Sequence, residues 1–181
     1  EKGSLSKKSF YTQLKYQGKK FLVTGGIRYD KLEVNKSNLL APRLGISYFL
    51  SPLTKLNIAN GYFYQSPNYW ILLNPLNNYP LKHMYTKQQI IGLEHYLKDD
   101  MKASIEYYYK TFHNKPINIA DTTEYVYDQR LGFIDIGKGR SHGFEIFLQK
   151  KFAQKWYGTI SYSYSKSESI DFRNNQEKYY S

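Results

Sequence analysis

Residues that alternate in polarity for nine or more positions satisfy both kinds of neighbour only as extended strands, because successive Cβ atoms along a strand point to opposite faces. Such alternation runs through most of this 181-residue chain, and no window keeps the i, i+3, i+4, i+7 spacing of an amphipathic helix beyond about a turn. From Phe21 onward, Phe21, Val23, Gly25, Ile27 and Tyr29 share one face, and Leu22, Thr24, Gly26, Arg28 and Asp30 the other. The stretch Pro42 to Gln65 repeats the division on both sides of Ser51-Pro52-Leu53-Thr54, where Pro52 supplies the φ that the second turn position favours. Leu44, Ile46, Tyr48, Leu50, Leu56, Ile58, Tyr62 and Tyr64 oppose Arg43, Gly45, Ser47, Asn57, Ala59, Gly61 and Gln65, with Asn60 and Phe63 breaking the pattern.

Two further pairs turn at Lys98-Asp99-Asp100 and near Ala153-Gln154-Lys155, and Lys8 to Tyr16 is expected to pair with the Phe21 strand across Gln17-Gly18-Lys19-Lys20. The expected fold class is all-β: an antiparallel up-and-down transmembrane β-barrel segment of about eight strands in hairpins, with short turns at one end and long loops at the other. Strands of roughly nine or more residues suit a tilted crossing of a bilayer. The long connections, Asn35 to Leu40, Ser66 to about Thr86 and about Thr111 to Lys138, all fall on one edge and exceed ordinary hairpin loops. No linker interrupts the run, so residues 1–181 are read as part of one barrel domain.

Composition separates this barrel from a soluble one. The chain holds 20 tyrosines against 2 tryptophans, and tyrosine suits places where the ring is covered and the hydroxyl stays wet. Inside a small soluble barrel so many hydroxyls would need buried partners; near the ends of lipid-facing strands they need none. The formal charge of +11 keeps open a soluble basic β protein binding nucleic acid, with Lys19-Lys20, Lys150-Lys151 and interleaved aromatics as its platform. Against it, Lys19, Lys20 and Lys155 lie at turns and most other cations are spread along polar faces, so no nucleic-acid partner is expected. The starting residues Glu1-Lys2-Gly3-Ser4 are neither an initiator methionine nor a signal peptide, which suggests a mature or excised piece.

Catalysis finds no support. There are no cysteines, and His83, His95, His113 and His142 are scattered, so neither a thiolate site nor a histidine metal cluster is expected. Ser141 and His142 are adjacent in a strand and therefore point to opposite faces, which rules them out as a nucleophile and base pair. No catalytic residue, cofactor or metal is expected, and the chain is read as no enzyme.

Pro42-Arg43-Leu44-Gly45-Ile46-Ser47-Tyr48, the turn after it and Gly61-Tyr62-Phe63-Tyr64-Gln65-Ser66-Pro67 resemble a barrel segment of TonB-dependent outer-membrane receptors. In that family a PRLG-x-S-Y strand, a short periplasmic turn and a strand ending in Y-x-Q-[SA]-P recur. Gly137-Lys138-Gly139-Arg140-Ser141-His142-Gly143-Phe144-Glu145 is similar to the family's N-x-G-x-[AS]-x-[ST]-x-G-x-E strand opening, although Asp135 stands where asparagine is common. The resemblance spans about Phe21 to about Tyr164 and implies an internal segment of a barrel of about 22 strands, without the plug domain, in the cell outer membrane of a Gram-negative bacterium. It implies uptake of a scarce nutrient of siderophore, vitamin, saccharide or peptide class, with outer-membrane lipid, the receptor plug and the energy-coupling TonB protein as partners. A self-contained small outer-membrane barrel of structural or adhesion type is the alternative that the even strand count permits.

Ligand contact is assigned to Gln65, Tyr69 and Trp70, where a strand becomes a long loop bearing two large amphipathic rings. An interfacial girdle is the competing role for the two rings, and the favoured one for Tyr62 and Tyr64. Glu94, Glu106 and Glu145, with Arg43, Lys98, Lys102 and Lys110, belong to the polar face, either contacting a plug or solvated and paired within the lumen.

Overall fold

The computed structural model describes residues 6–32, 37–72, 81–118, 132–153, 155–170 and 179–180. Eight long strands follow one another: β1 (Lys7–Gln17), β2 (Phe21–Leu32), β3 (Ser37–Ser51), β4 (Thr54–Gln65), β5 (Met84–Lys98), β6 (Met101–Asn118), β7 (Phe133–Ala153) and β8 (Trp156–Ile170). A single helical turn, α1 (Tyr69–Leu72), follows β4, and a two-residue strand, β9 (Tyr179–Tyr180), pairs with the end of β8. Every strand pairs antiparallel with its sequence neighbours in the order β1 to β9, an up-and-down sheet that is not closed.

The turns stand where the alternation requires them, between Gln17 and Phe21, Ser51 and Thr54, Lys98 and Met101, and Ala153 and Trp156. The opposite ends are longer strands than expected. Pairing resumes at Ser37 and at Met84, and β6 runs to Asn118 before β7 begins at Phe133. Between Phe112 and Ile117 the β6–β7 register shifts twice, and Asn114 takes a φ of 57° there; a left-handed residue in one strand of a pair lets the ladder bulge and bend. Residues 1–5, 33–36, 73–80, 119–131, 171–178, Gln154 and Ser181 lie outside the described residues, so the middles of the expected long loops and part of the last expected turn do as well.

Register places the two expected faces on the two sides of the sheet. One row across it reads Tyr16, Val23, Ile46, Ile58, Ile91, Tyr107, Phe144 and Tyr164, and the next toward the turns reads Phe21, Tyr48, Leu56, Leu93, Ile105, Ile146 and Tyr162. These side chains are not a core: Ile58, Ile91 and Ile105 are each 48% exposed and Ile160 69%. Among the described residues the buried apolar side chains are Leu32, Ala41, Ile71, Leu81 and Ile170, all toward the loop end. An apolar band this exposed is stable only against another apolar phase.

The band also runs obliquely. Followed along the ladder, Leu14 leads through Gly25, Leu44, Asn60, Gln89, Tyr109 and His142 to Lys166. A row that is apolar at β1 is thus cationic at β8, where the apolar side chains Trp156, Ile160, Tyr162 and Tyr164 lie nearer the turn. A flat layer crosses hydrogen-bonded rows in this way when the strands are tilted, as closure into a barrel demands. The inner face is polar or small: on β8 it presents Thr159, Ser161, Ser163, Ser165, Ser167 and Ser169 in unbroken alternation, and Ser167 Oγ donates to Ser141 Oγ at 2.9 Å.

Candidate functional site

Gln65 ends β4 opposite Met84 on the inner face and is exposed. With Phe63, Met84, Tyr85, Thr86, Phe112, His113 and Lys115 it lines a cavity of about 280 Å³ at the loop end of β4 to β6. The bulge at Asn114 brings Lys115 opposite Gly137, where a Cβ would approach the Lys115 Cβ to 2.7 Å, so both lie on the same side of the sheet. Amide, ammonium, thioether and ring then surround one open concavity, a set suited to a ligand with both polar oxygens and apolar surface.

Trp70 sits in α1, 62% exposed, its ring edge-on to Phe133 at 5.5 Å and 80°. The turn is begun by the Ile71 N–H, which donates to the Asn68 carbonyl at 3.0 Å, and Ile71 is buried beneath it. Trp70 therefore joins the β4–β5 connection to the start of β7 and keeps one face open. Tyr69 opens the same turn. Of the three residues assigned from sequence, Gln65 belongs to the wall cavity, and Tyr69 and Trp70 belong to the turn above the strands.

Tyr62 and Tyr64 point the other way. On the outer face Tyr85 lies 6.4 Å from Tyr62 and 5.9 Å from Tyr64, and stacks on His113 at 4.6 Å and 10°. Lys87 lies over the Tyr62 ring at 5.9 Å. A belt of rings at the upper edge of the apolar band is the placement expected of an interfacial girdle.

The same end holds an ionic knot that the alternation gave no sign of. Asp30, 5% exposed, accepts from Arg28 Nε at 3.0 and 3.1 Å and from Lys7 Nζ at 3.1 Å, and Arg28 Nη2 donates to Ser9 Oγ at 3.3 Å. Behind it His83, 3% exposed, bonds Ser37 Oγ through Nε2, and the Asn114 amide donates to the His83 carbonyl at 3.1 Å. Burial, helped by the nearby Lys7 ammonium, holds the His83 imidazole below its ordinary pKa and so neutral at pH 7. Ion pairs and hydrogen bonds thus join β1 to β2, and β3 and the bulge of β6 to the approach to β5, with Lys7 and Asp30 in electrostatic reach of His83.

Deeper in the lumen, Glu94 is held between Lys55 at 3.1 Å and Lys102 at 3.3 Å, so that charge is paired. Glu106 faces Glu145 directly across the β6–β7 ladder, both exposed. Like charges in register repel, and Gly92 relieves this: a Cβ there would lie 2.8 Å from Glu106 Cγ, so Glu106 leans over the glycine on the far side from Glu145. Arg43 stacks on Phe63 at 4.4 Å beside a depression of about 250 Å³ whose floor includes Gly26, Gly45, Ala59 and Gly61. Lys110 lies 4.5 Å from the Tyr108 ring. Among the described residues no three His, Asp or Glu side chains gather as a metal site.

The family model described as "TonB dependent receptor-like, beta-barrel" matches residues 2–180, and no curated protein matches the chain. Among solved structures, the sheet superposes on the FrpB iron transporter from Neisseria meningitidis (F3-3 variant) with a TM-score of 0.71 at 17% identity, covering 96% of this chain and 27% of that one. The outer membrane transporter YddB from Escherichia coli gives 0.74 at 16%, covering 97% and 26%, and the siderophore receptor PirA from Pseudomonas aeruginosa 0.67 at 17%, covering 91% and 33%. The chain thus spans about a quarter to a third of these proteins. With an open up-and-down sheet, an exposed apolar outer band, a polar inner wall and a family match over nearly its whole length, the chain belongs to the TonB-dependent receptor-like β-barrel family.

Proposed function

We propose that this chain is wall and extracellular loops of a TonB-dependent outer-membrane transporter that takes up a scarce nutrient, and that it acts by binding and shaping the passage rather than by catalysis. The observation that carries this is the two-faced open sheet: an exposed apolar band outside and a polar wall inside, matched to the barrel family over residues 2–180. Both free edges of such a sheet must be paired in lipid, which supports further strands around the lumen over a self-contained small barrel. The plug and the energy-coupling TonB protein would engage the transporter through parts outside this segment, in the outer membrane of a Gram-negative bacterium.

The nutrient belongs to the siderophore, vitamin, saccharide or peptide classes, and an iron complex is the first to test because two of the structural neighbours are an iron transporter and a siderophore receptor. Gln65, Tyr69 and Trp70 are the proposed contacts, Gln65 at the wall cavity and the other two in the turn that follows β4. Uptake of radiolabelled iron complexes by cells carrying the full-length protein is expected to stop when the proton-motive force is collapsed. Trp70→Ala is expected to weaken binding of the nutrient with little change in barrel yield. Uptake that survives de-energisation, or binding that is unaltered by both Gln65→Ala and Trp70→Ala, contradicts the transporter reading and the site respectively.

A further inference from the structure

Charge gathers at the turn end of the sheet, and most of it is unpaired. Lys15, Lys19, Lys20, Lys98, Lys151 and Lys155 are all exposed there and make no ion pair among the described residues. Of the acids at this end, Glu94 is held by Lys55 and Lys102, and Asp100 takes Lys150. Asp99 is exposed and has no ion pair among the described residues. Gln154, the one turn position outside the described residues, is uncharged.

The turns stand at one level. The row that holds the first of them, at Gln17, follows the ladders through Leu22, Ser47, Asn57, Gly92 and Glu106 to Glu145, eight residues short of the last turn at Ala153. Those residues are roughly 27 Å of strand, and the strand spacings crossed are about 29 Å, an offset of about 43°. Strands of a closed barrel tilt by about that much, so the turns form one line with roughly 13 Å between neighbours. Lys19 and Lys20, Lys98, and Lys155 sit in or beside three of them. Between the last two turns opens a cleft of about 200 Å³, lined by Tyr96, Asp99, Asp100, Met101, Lys102, Gln149 and Lys151. Lys102 and Asp100 are engaged there, which leaves one ammonium, Lys151, and one carboxylate, Asp99, to meet a ligand.

This pattern selects among anionic partners. The turn tips present Gly18, Pro52, Leu53 and Asp99, with a single large apolar side chain among them; folded protein partners use interfaces that are depleted in lysine and centred on buried aromatic anchors. Lipid headgroups lie on the outer side, whereas Lys15, opposite Thr24, belongs to the inner face, and Lys151 lines the cleft with the inner-face residues Lys102 and Gln149. A flexible polymer bearing carboxylates, with an occasional ammonium, fits both the line and the cleft. We propose that the turn end binds peptidoglycan, the carboxylates of its stem peptides lying along the lysines and the zwitterionic end of a stem-peptide diamino acid between Asp99 and Lys151. Lysine is a point charge on a flexible stem and suits anions whose positions vary. The inference rests on the outer-membrane orientation proposed above, which puts the turns in the periplasm.

The test sediments the full-length protein, in neutral detergent at low salt, with purified peptidoglycan sacculi. The protein is expected to pellet with sacculi, to pellet less with sacculi whose carboxyl groups have been amidated, and to be released at 0.5 M salt. An exposed ion pair shifts an equilibrium by up to about fivefold, so Lys19→Gln, Lys20→Gln, Lys98→Gln and Lys155→Gln combined are expected to weaken binding about tenfold or more. The same lysines changed to arginine should retain it. Free diaminopimelate is expected to compete, and to lose that effect in Asp99→Asn with Lys151→Gln. Equal binding to amidated sacculi, unaltered binding by the combined glutamine variant while it folds as a heat-modifiable barrel, or displacement by phosphatidylglycerol vesicles but not by diaminopimelate overturns the peptidoglycan site alone. Absence of the protein from the outer-membrane fraction overturns the transporter reading and this inference together.

Discussion

Ser104 and Ile105 are consecutive residues of β6, yet they live in different solvents. Ser104 lies on the inner face between Glu94 and Phe147, and Ile105 on the outer face between Leu93 and Ile146, 48% exposed. The inner face tolerates charge because water and ion partners are at hand, as Glu94 shows between its two lysines. The outer band has neither. What makes this chain a membrane wall is therefore a difference repeated every second residue along the strand, and average hydropathy conceals it.

Breaking that difference at its centre gives the largest effect. Ile105→Arg is expected to cost about 2–4 kcal/mol of folding free energy in lipid vesicles, the range for a cation near the bilayer midplane. Ser104→Arg, one residue away, is expected to change it by no more than about 0.5 kcal/mol, as for an ordinary surface substitution. Both are read from urea titrations of the full-length protein in vesicles. Equal costs for the two variants mean that the faces are not different solvents and that the sheet is not a lipid-facing wall.

Much of this wall is legible in the sequence, and the reason is local. A face is set by a period of two, and a hairpin register by the residues of its own turn, so Pro52 and the Asp99-Asp100 pair place their ladders without knowledge of the rest. Gln65 is legible in the same way, as the inner-face residue where β4 leaves its partner. The rim knot is not, because Asp30, Lys7, Ser9, Ser37 and His83 come from distant stretches and meet only once the ladders are in register. The extension of β6 to Asn118 was hidden by the bulge: a left-handed Asn114 breaks the alternation that marks a strand. The oblique course of the apolar band belongs to the assembled sheet and to no single strand.

A middle-sized effect comes from an exception on the permissive inner face. At Gly143 an added Cβ would collide with the Tyr164 carbonyl and come within 2.8 Å of the Tyr108 hydroxyl, whereas at Gly45 nothing lies within 4 Å. Gly143→Val is expected to destabilise by about 1–3 kcal/mol through overpacking, and Gly45→Ala to remain within about 0.5 kcal/mol. The same vesicle titration checks both. A neutral Gly143→Val would mean that β6, β7 and β8 approach less closely than their registers imply.

The smallest effect is expected at the turn end, where an outer-face cation survives because it has a partner. Lys150, 8% exposed, donates to the Asp100 carboxylate of the β5–β6 turn and lies 4.7 Å from the Trp156 ring. The hydrogen bond from Lys150 is the main reason that the Asp100 carboxyl stays below its ordinary pKa of 3.8. A depressed carboxyl pKa stabilises the fold fully above the unfolded value and loses that contribution as pH falls through the folded one. Asp100→Asn is thus expected to be modestly less stable than the unsubstituted protein at pH 7, with the gap narrowing below about pH 4 and closing in stronger acid. Because the pair lies at a wet turn, 0.5 M salt should shrink the gap as well. Stability in vesicles measured from pH 7 to pH 2.5 tests this: a gap that stays constant or widens in acid would mean that the ion pair does not hold Lys150, and that the apolar outer face tolerates a cation there for some other reason.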